Sequence, residues 1–416
     1  MTTAVIAQTP PEGWSPRLIV ACLVAVSVSL PMAPISIAKL LLFVFALGYL
    51  GLSYWRGEAE HSFAGLWTAP AILLICVAFS LSLLWTSASL GEALTILIKH
   101  LKLLEILLLA LLIRTARDAR LAITAFALGQ TVYIASAWLL VAGLSLPWGK
   151  LGERPYAVFS SYLDQSIIFA SAAAVIWHLY AQLRWPRWLA GMIAAAALSM
   201  VLLFLEGRTG YLVALSMIAL MILWMVSKKW RLVALLVVPA AMMVGLFLGS
   251  TTFHNRVAKV LGEGQAYAQQ SEIETSSGWR LNAWHRSLQA IAERPLLGHG
   301  VGSFTSTVKR LEGPTAGKTF GSGNSSNPHQ EFLLWGVELG VLGPLLLMGL
   351  IICTYRDIRH FATPVARATL SVLVAMTIAC MLNSALYDGL IGDFFVVTLG
   401  LLMSLGIRTR EAQGSA

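Results

Sequence analysis

The chain has 416 residues, 57% of them hydrophobic and 12% charged, with a mean hydropathy of +0.75. A soluble domain carries about a quarter charged residues, so this composition argues against one and predicts a polytopic helical membrane protein. The net charge of +9 is dispersed in short basic clusters between apolar runs, a positive-inside pattern rather than a nucleic-acid footprint.

About twelve apolar stretches are long enough to span a bilayer at about twenty residues each. They lie near 18–32, 35–53, 69–86, 93–113, 121–143, 161–182, 188–206, 210–226, 232–249, 330–354, 366–384 and 390–407. Their continuous apolar character, without period-2 alternation, excludes a β-barrel and predicts an all-α bundle. The first stretch is short enough to resemble a signal peptide, but its polar lead carries only Arg17 as a positive charge, so we read it as a span.

Alternate loops are basic: Arg114, Arg117 and Arg120; Arg184 and Arg187; Lys228, Lys229 and Arg231; Arg356, Arg359 and Arg367; Arg408 and Arg410. These loops define the cytoplasmic side and place both termini there. Residues 1–249 then hold nine spans. Residues 250–329 form one large outward-facing loop domain, and residues 330–416 hold three more spans and a cytoplasmic tail. Trp55, Trp67, Trp85, Trp148, Trp185, Trp188, Trp230 and Trp335 stand near span ends, as an aromatic belt requires. Cys22, Cys76, Cys353 and Cys380 all fall inside apolar runs, which predicts buried thiols rather than disulfides or metal ligands.

Within the outer loop, Leu281, Trp284, Leu288 and Ile291 recur at helical spacing and Pro295 ends the run. This predicts an amphipathic helix over 279–293 lying on the membrane surface. The glycines, serines and threonines of 298–326 predict a mobile segment that could act as a lid.

Several residues could carry chemistry. Asn327-Pro328-His329-Gln330 reads as an N-cap followed by a first helical turn, which places His329 among free N–H groups at the outer face. The helix dipole there disfavours imidazolium, so a neutral ring could accept a proton from a hydroxyl, and the N–H groups suit a phosphate; the plainer reading is a polar residue at a helix start. Arg208, between Gly207 and Gly210, sits where two apolar runs meet. It either faces a cavity or snorkels to the interface beside Glu206. Arg280 shares a helix face with Trp284, and its planar guanidinium suits either a diphosphate or lipid head groups. Arg286 and Arg294 fit head groups better.

Lys99, Lys102 and Glu105 form a charged line inside the fourth span, with His100 beside them. Lys102 either pairs with Glu105 or joins Lys99 in meeting a phosphate. Lys150, Arg154, Tyr156, Asp164 and Gln165 cluster at the outer face as sugar-site candidates or as a solvated loop, and Asp388 and Asp393 are equally open. No D-x-D, H-E-x-x-H or P-loop pattern is present, so neither a metal nor a nucleotide cofactor is expected. Without a metal motif, arginines would have to neutralise a leaving group.

An Arg-Leu-x-x-Trp helix, then E-R-P-L-L-G-H-G-V-G-S-F, then a His ahead of E-F-L-L-W-G-V-E-L-G-V-L-G, together with E-G-R-T-G at 206–210, resembles the O-antigen ligase and polymerase superfamily. The chain looks most like the ligase branch, because it has one large outer loop rather than two comparable ones. The resemblance covers the C-terminal half and implies a GT-C-like membrane glycosyltransferase of the bacterial inner membrane, working on the periplasmic face. It implies undecaprenyl-diphosphate-linked O-antigen as donor and lipid A–core lipopolysaccharide as acceptor, with inversion and no metal or nucleotide. His329 matches the family's catalytic histidine, and Arg208 and Arg280 match its diphosphate-contacting arginines. Related readings are a polymerase or a protein-glycosylating enzyme. A reading of another class is a transporter or flippase, with Arg208 and Lys99–Lys102 marking a path. A transporter predicts functional charges near mid-membrane, whereas here the polar residues gather at one face beside the large loop, which favours the enzyme.

Overall fold

The computed structural model describes residues 14–56, 65–148, 156–249, 258, 276–312 and 327–414. Among the described residues the regular structure is entirely helical. The first ten helices are α1 (Pro16–Ser27), α2 (Met32–Trp55), α3 (Thr68–Ser82), α4 (Leu90–Leu101), α5 (Leu104–Leu112), α6 (Ala116–Val141), α7 (Tyr162–Leu179), α8 (Arg187–Leu203), α9 (Arg208–Met225) and α10 (Arg231–Gly249). Then come α11 (Ser276–Glu293), α12 (Phe304–Glu312), α13 (Glu331–Leu339), α14 (Leu342–Ile358), α15 (Thr363–Leu382) and α16 (Gly389–Gly414). Among the described residues, six helical stretches are long and apolar enough to cross a membrane: α2, α6, α9, α10 with the short turn before it, α15 and α16. Helices α1, α3 and α8 are apolar but shorter. The protein is a polytopic helical membrane protein, and each of the predicted apolar stretches contains a helix.

Helix α16 is the axle of the bundle. It is buried along its whole apolar length and packs against α5, α6, α7 and α15. Small residues make this possible, as in other membrane bundles. Gly400 lies against Ile106 and Leu109, and Gly406 lies under the Phe361 ring. By contrast α10 is exposed along its apolar window, as a lipid-facing helix must be. At the end of the bundle that the sequence assigns to the cytoplasm, Asp357 accepts hydrogen bonds from Trp67 N, Thr68 N and Thr68 Oγ1, capping α3. An anion at a helix N-terminus satisfies free N–H groups and complements the dipole.

Two predicted spans are broken, for physical reasons. The fourth is interrupted between α4 and α5, where Leu103 N, Glu105 N and Ile106 N each bond three residues back instead of four. This tightened turn releases Lys102 and Glu105 towards different partners. The tenth is interrupted at Gly340, whose φ of +64° only glycine adopts without strain. The chain then folds back so closely that Gly343 rests against the Trp335 backbone. Only α14 runs on to Asp357, while α13 joins α11 in a layer beside the bundle.

That layer corrects one further expectation and leaves another as it stands. Helix α11 forms where expected, with Ala283, Ser287 and Ala290 buried and Leu281 and Leu288 exposed on its apolar stripe. The first part of the expected lid is fixed. His299 N and Gly300 N donate to Val337 O and Glu338 O, and Ser87 N donates to His299 O. Val301 N donates to Ser82 Oγ, and Gly302 N to Glu338 Oε1. Gly298, Gly300 and Gly302 have positive φ and touch Gly340, Thr86 and Ala93 directly, so glycine is required for close approach rather than for mobility. Residues 313–326, the rest of that expectation, lie outside the described residues.

Candidate active site

The His329 turn differs from the expected helix start. Helix α13 begins at Glu331 with Gln330 as its cap, so His329 stands one residue ahead of the cap in the left-handed region, at φ +51°. The Asn327 side chain accepts the His329 N–H at 2.8 Å, a local turn that competes with helix and ends the predicted one. Trp284 Nε1 donates to Pro328 O at 3.0 Å, and the Trp279 ring lies 5.7 Å from the imidazole. Burial and the neighbouring Arg280 guanidinium hold the His329 pKa down at about 4. The ring is therefore neutral, as the sequence suggested, but through burial and a cation rather than through a helix terminus.

Arg280 donates to Asn383 Oδ1 at 3.4 Å, and Asn383 Nδ2 donates to Thr209 Oγ1 at 2.8 Å. Thr209 is in the first turn of α9, directly after Arg208. One buried amide thus joins α11, α15 and α9, bringing the Arg280 side chain to the helix start that carries Arg208. Gly207 and Gly210 let this helix start lie tightly on Ser166 of α7.

The connection after α15, Asn383 to Asp388, forms the floor. Gln330 N donates to Ser384 Oγ at 3.1 Å. Glu331, fully buried, accepts from Leu386 N at 2.9 Å, Tyr387 N at 3.2 Å and Trp335 Nε1 at 2.8 Å. Lys99 sits 3.8 Å above the Tyr387 ring, so it belongs to this neighbourhood. Burial, together with Asp164 and Glu331, pushes the Asp388 pKa up to about 7.

Lys102 lies deeper and does not pair with Glu105. Its ammonium donates to Asp388 O at 2.8 Å and meets Asp393 at 3.3 Å, while Glu105 pairs with Lys39 at 3.0 Å. Lys39 also meets Asp393 at 2.8 Å, closing a buried network of two cations and two carboxylates that ties α2, α5 and α16 together. This network balances its own charge.

Other candidates resolve differently. Lys150 and Arg154 lie outside the described residues. Gln165 is buried and bridges Tyr156 O and Val158 N, which makes it a brace for that turn and not a ligand-facing group. Arg286 bonds Gln289. Among the described residues no group of three or more His, Cys, Asp or Glu could hold a metal ion. Sequence reasoning missed Glu331, Asn383, Ser384 and Tyr387. The available signal was N-S-A-L-Y-D, a polar knot between two apolar runs.

The structure thus groups a neutral imidazole, the Arg280 guanidinium joined through Asn383 to the start of α9, and a lysine over a tyrosine. Residues 193–348 match the family described as O-antigen ligase, a segment running from α8 into α14 that takes in Arg208, Arg280, Trp284 and His329. Over this segment the chain is similar to that family. No curated protein matches the chain closely enough to add to this.

Proposed function

We propose that the protein is an O-antigen ligase of the bacterial inner membrane. It transfers the glycan from undecaprenyl diphosphate to a sugar hydroxyl of lipid A–core at the periplasmic face, with inversion. The observation that supports this best is the convergence of a neutral His329 with Arg280 and, through Asn383, the start of α9. His329 takes the proton from the acceptor hydroxyl as that oxygen attacks the anomeric carbon. Arg208 and Arg280 hold the departing diphosphate and neutralise its charge.

A ring with a pKa of about 4 is a weak base on its own. A diphosphate bound at Arg280 offsets the cation that depresses that pKa, so the donor itself strengthens the base. Lys99 and Trp284 act in support: Trp284 fixes the turn at Pro328, and Lys99 adds positive charge beside the 383–388 connection, whereas Lys102 is taken up by Asp388 O and Asp393 and only braces that connection.

The test is a purified-component transfer assay with lipid-linked O-antigen and O-antigen-free lipopolysaccharide, with and without EDTA, comparing wild type with His329→Ala. A ladder on the lipopolysaccharide that persists in EDTA and vanishes in the variant is the expected result. Longer lipid-linked chains beside unmodified lipopolysaccharide would replace the ligase by a polymerase. Absence of both products would replace transfer by transport.

A further inference from the structure

A cavity lies at the far end of α11 from the His329 turn. It measures about 480 Å³ and is lined by Ser87, Glu293, Arg294, His299, Ser306, Thr307 and Arg310. That volume is in the range of about 300–1,000 Å³ typical of small-ligand sites. Its walls are rigid. Ser87 is held by His299 O, His299 Nε2 bonds Ala290 O at 2.9 Å, and Ser306 Oγ donates to Ser303 O at 3.0 Å.

The lining chemistry is that of a site for an anionic sugar. Three hydroxyls offer both donors and acceptors. Two guanidiniums stand against one carboxylate, Glu293, which Arg310 already engages. Burial keeps His299 below the ordinary imidazole range and so uncharged at neutral pH. The cavity therefore carries a net positive charge with fork-shaped donors suited to phosphate or carboxylate.

Its surroundings point to a membrane anchor. Leu84 is 82% exposed, Leu296 72% and Leu297 54%, and Trp85 Nε1 ties the first of these loops to Leu297 O. A soluble rim would not present these side chains together, whereas a bilayer interface would cover them. The distance also fits. Arg280 and Glu293 stand thirteen positions apart on α11, which at the helical rise is about 20 Å, the reach of several sugar units.

We propose that this cavity binds an anionic inner sugar of the membrane-anchored glycolipid acceptor, while an outer sugar of the same molecule presents its hydroxyl at His329. The proposal rests on the acceptor reading above and adds a second, separate contact for it. Donor diphosphate and acceptor charge are then held at opposite ends of α11, which keeps two anions from competing for one arginine pair.

The test uses the full-length protein in detergent and the double variant Arg294→Gln/Arg310→Gln. Both side chains are exposed, so the thermal transition should match wild type and report an intact fold. Binding of O-antigen-free lipopolysaccharide, measured without donor, should weaken at least tenfold in the variant, while phosphatidylglycerol and inorganic phosphate compete poorly in wild type. In transfer kinetics the acceptor KM should rise at least tenfold with the donor KM unchanged. Unchanged lipopolysaccharide affinity would overturn the proposal. Equal competition by phosphatidylglycerol would reduce the site to a general lipid contact, and displacement by inorganic phosphate would reduce it to a free-phosphate site; either also overturns it. Because binding is read without turnover, a failure of the ligase reading shows as absent transfer with binding intact.

Discussion

Glu331 offers the most demanding test of the site's construction. Three N–H donors, Trp335 Nε1, Leu386 N and Tyr387 N, converge on its two oxygens in a fully buried position. An ionised carboxylate accepts all three. In Glu331→Gln one oxygen becomes an NH₂, which must face at least one of these donors. If the remaining oxygen keeps the two backbone N–H groups, the amide nitrogen opposes the indole N–H. The variant then loses one charge-assisted hydrogen bond, worth about 1.5–3 kcal/mol, and strands a donor at about 1–3 kcal/mol. These terms overlap, so about 2–4 kcal/mol is expected.

The strain falls on the connection carrying Asn383 and Ser384, and through it on Arg280 and Gln330. If about 2 kcal/mol of it reaches the transition state, transfer slows about 30-fold. The assay is initial transfer rate together with the thermal transition in detergent. Adding Trp335→Phe removes the opposed donor, so the double variant should lose less than the two single losses combined. A Glu331→Gln protein with wild-type rate and wild-type transition would refute the argument. So would strict additivity in the double variant.

Three other outcomes follow from the same geometry. Asn383→Leu removes the amide between Arg280 and Thr209 and should slow transfer about 10- to 100-fold, whereas Asn383→Asp keeps the acceptor for Arg280 and should slow it less, as initial rates would show. With the His329 pKa at about 4, kcat/KM for the donor should stay level from pH 8 to 5.5 and fall only near pH 4, while the inflection in kcat should lie higher because the bound diphosphate offsets Arg280. The folded ring takes up a proton at about 4 and the unfolded ring at 6.5, so folding favours the neutral form and His329 costs stability as pH falls through that interval, which a pH series of thermal transitions would detect. Gly300→Ala places a Cβ against the Thr86 backbone at a φ of +87° and should depress the thermal transition severely, whereas Gly91→Ala, with open space in α4, should leave it equal or slightly raised.

The apolar helices were legible because bilayer thickness imposes a length and backbone hydrogen bonding imposes a helix. Both constraints act within one stretch of chain, so a single sequence displays them. The breaks at Leu103 and Gly340 were not, since an apolar run looks continuous whether or not its backbone bends. Partners were hidden for a related reason. Lys102 and Glu105 are three residues apart and read as a pair, yet Lys102 meets Asp393 and Glu105 meets Lys39. The tightened turn between α4 and α5 sends the two side chains to different helices, and only tertiary structure decides which carboxylate each lysine neutralises. His329 stood out in the sequence by its residue type and its proline-flanked setting. Its environment was misjudged because the Asn327 side chain outcompeted the first helical turn for the same N–H.

The site residues gather where helices are interrupted, and a membrane protein has little choice in this. Uninterrupted helix satisfies its own N–H and C=O groups and offers a substrate only side chains. A break on the bundle surface inside hydrocarbon would strand those groups, so breaks are tolerated where protein or a polar cavity receives them. Here four of the N–H groups at such breaks find side-chain acceptors. Leu386 N and Tyr387 N go to Glu331, Gln330 N goes to Ser384, and Gly302 N goes to Glu338, whose other oxygen meets His100 at 2.8 Å. Glu338 is itself held by His100 of α4, and Glu331 by Trp335 of its own helix, so these breaks are braced from within the protein. Asn383 can face Arg280 only because Glu331 fixes the connection on one side and Thr209 receives the amide on the other. The two arginine-bearing helix starts are therefore positioned before any substrate arrives, which is what a site needs if it is to stabilise a departing diphosphate without reorganising.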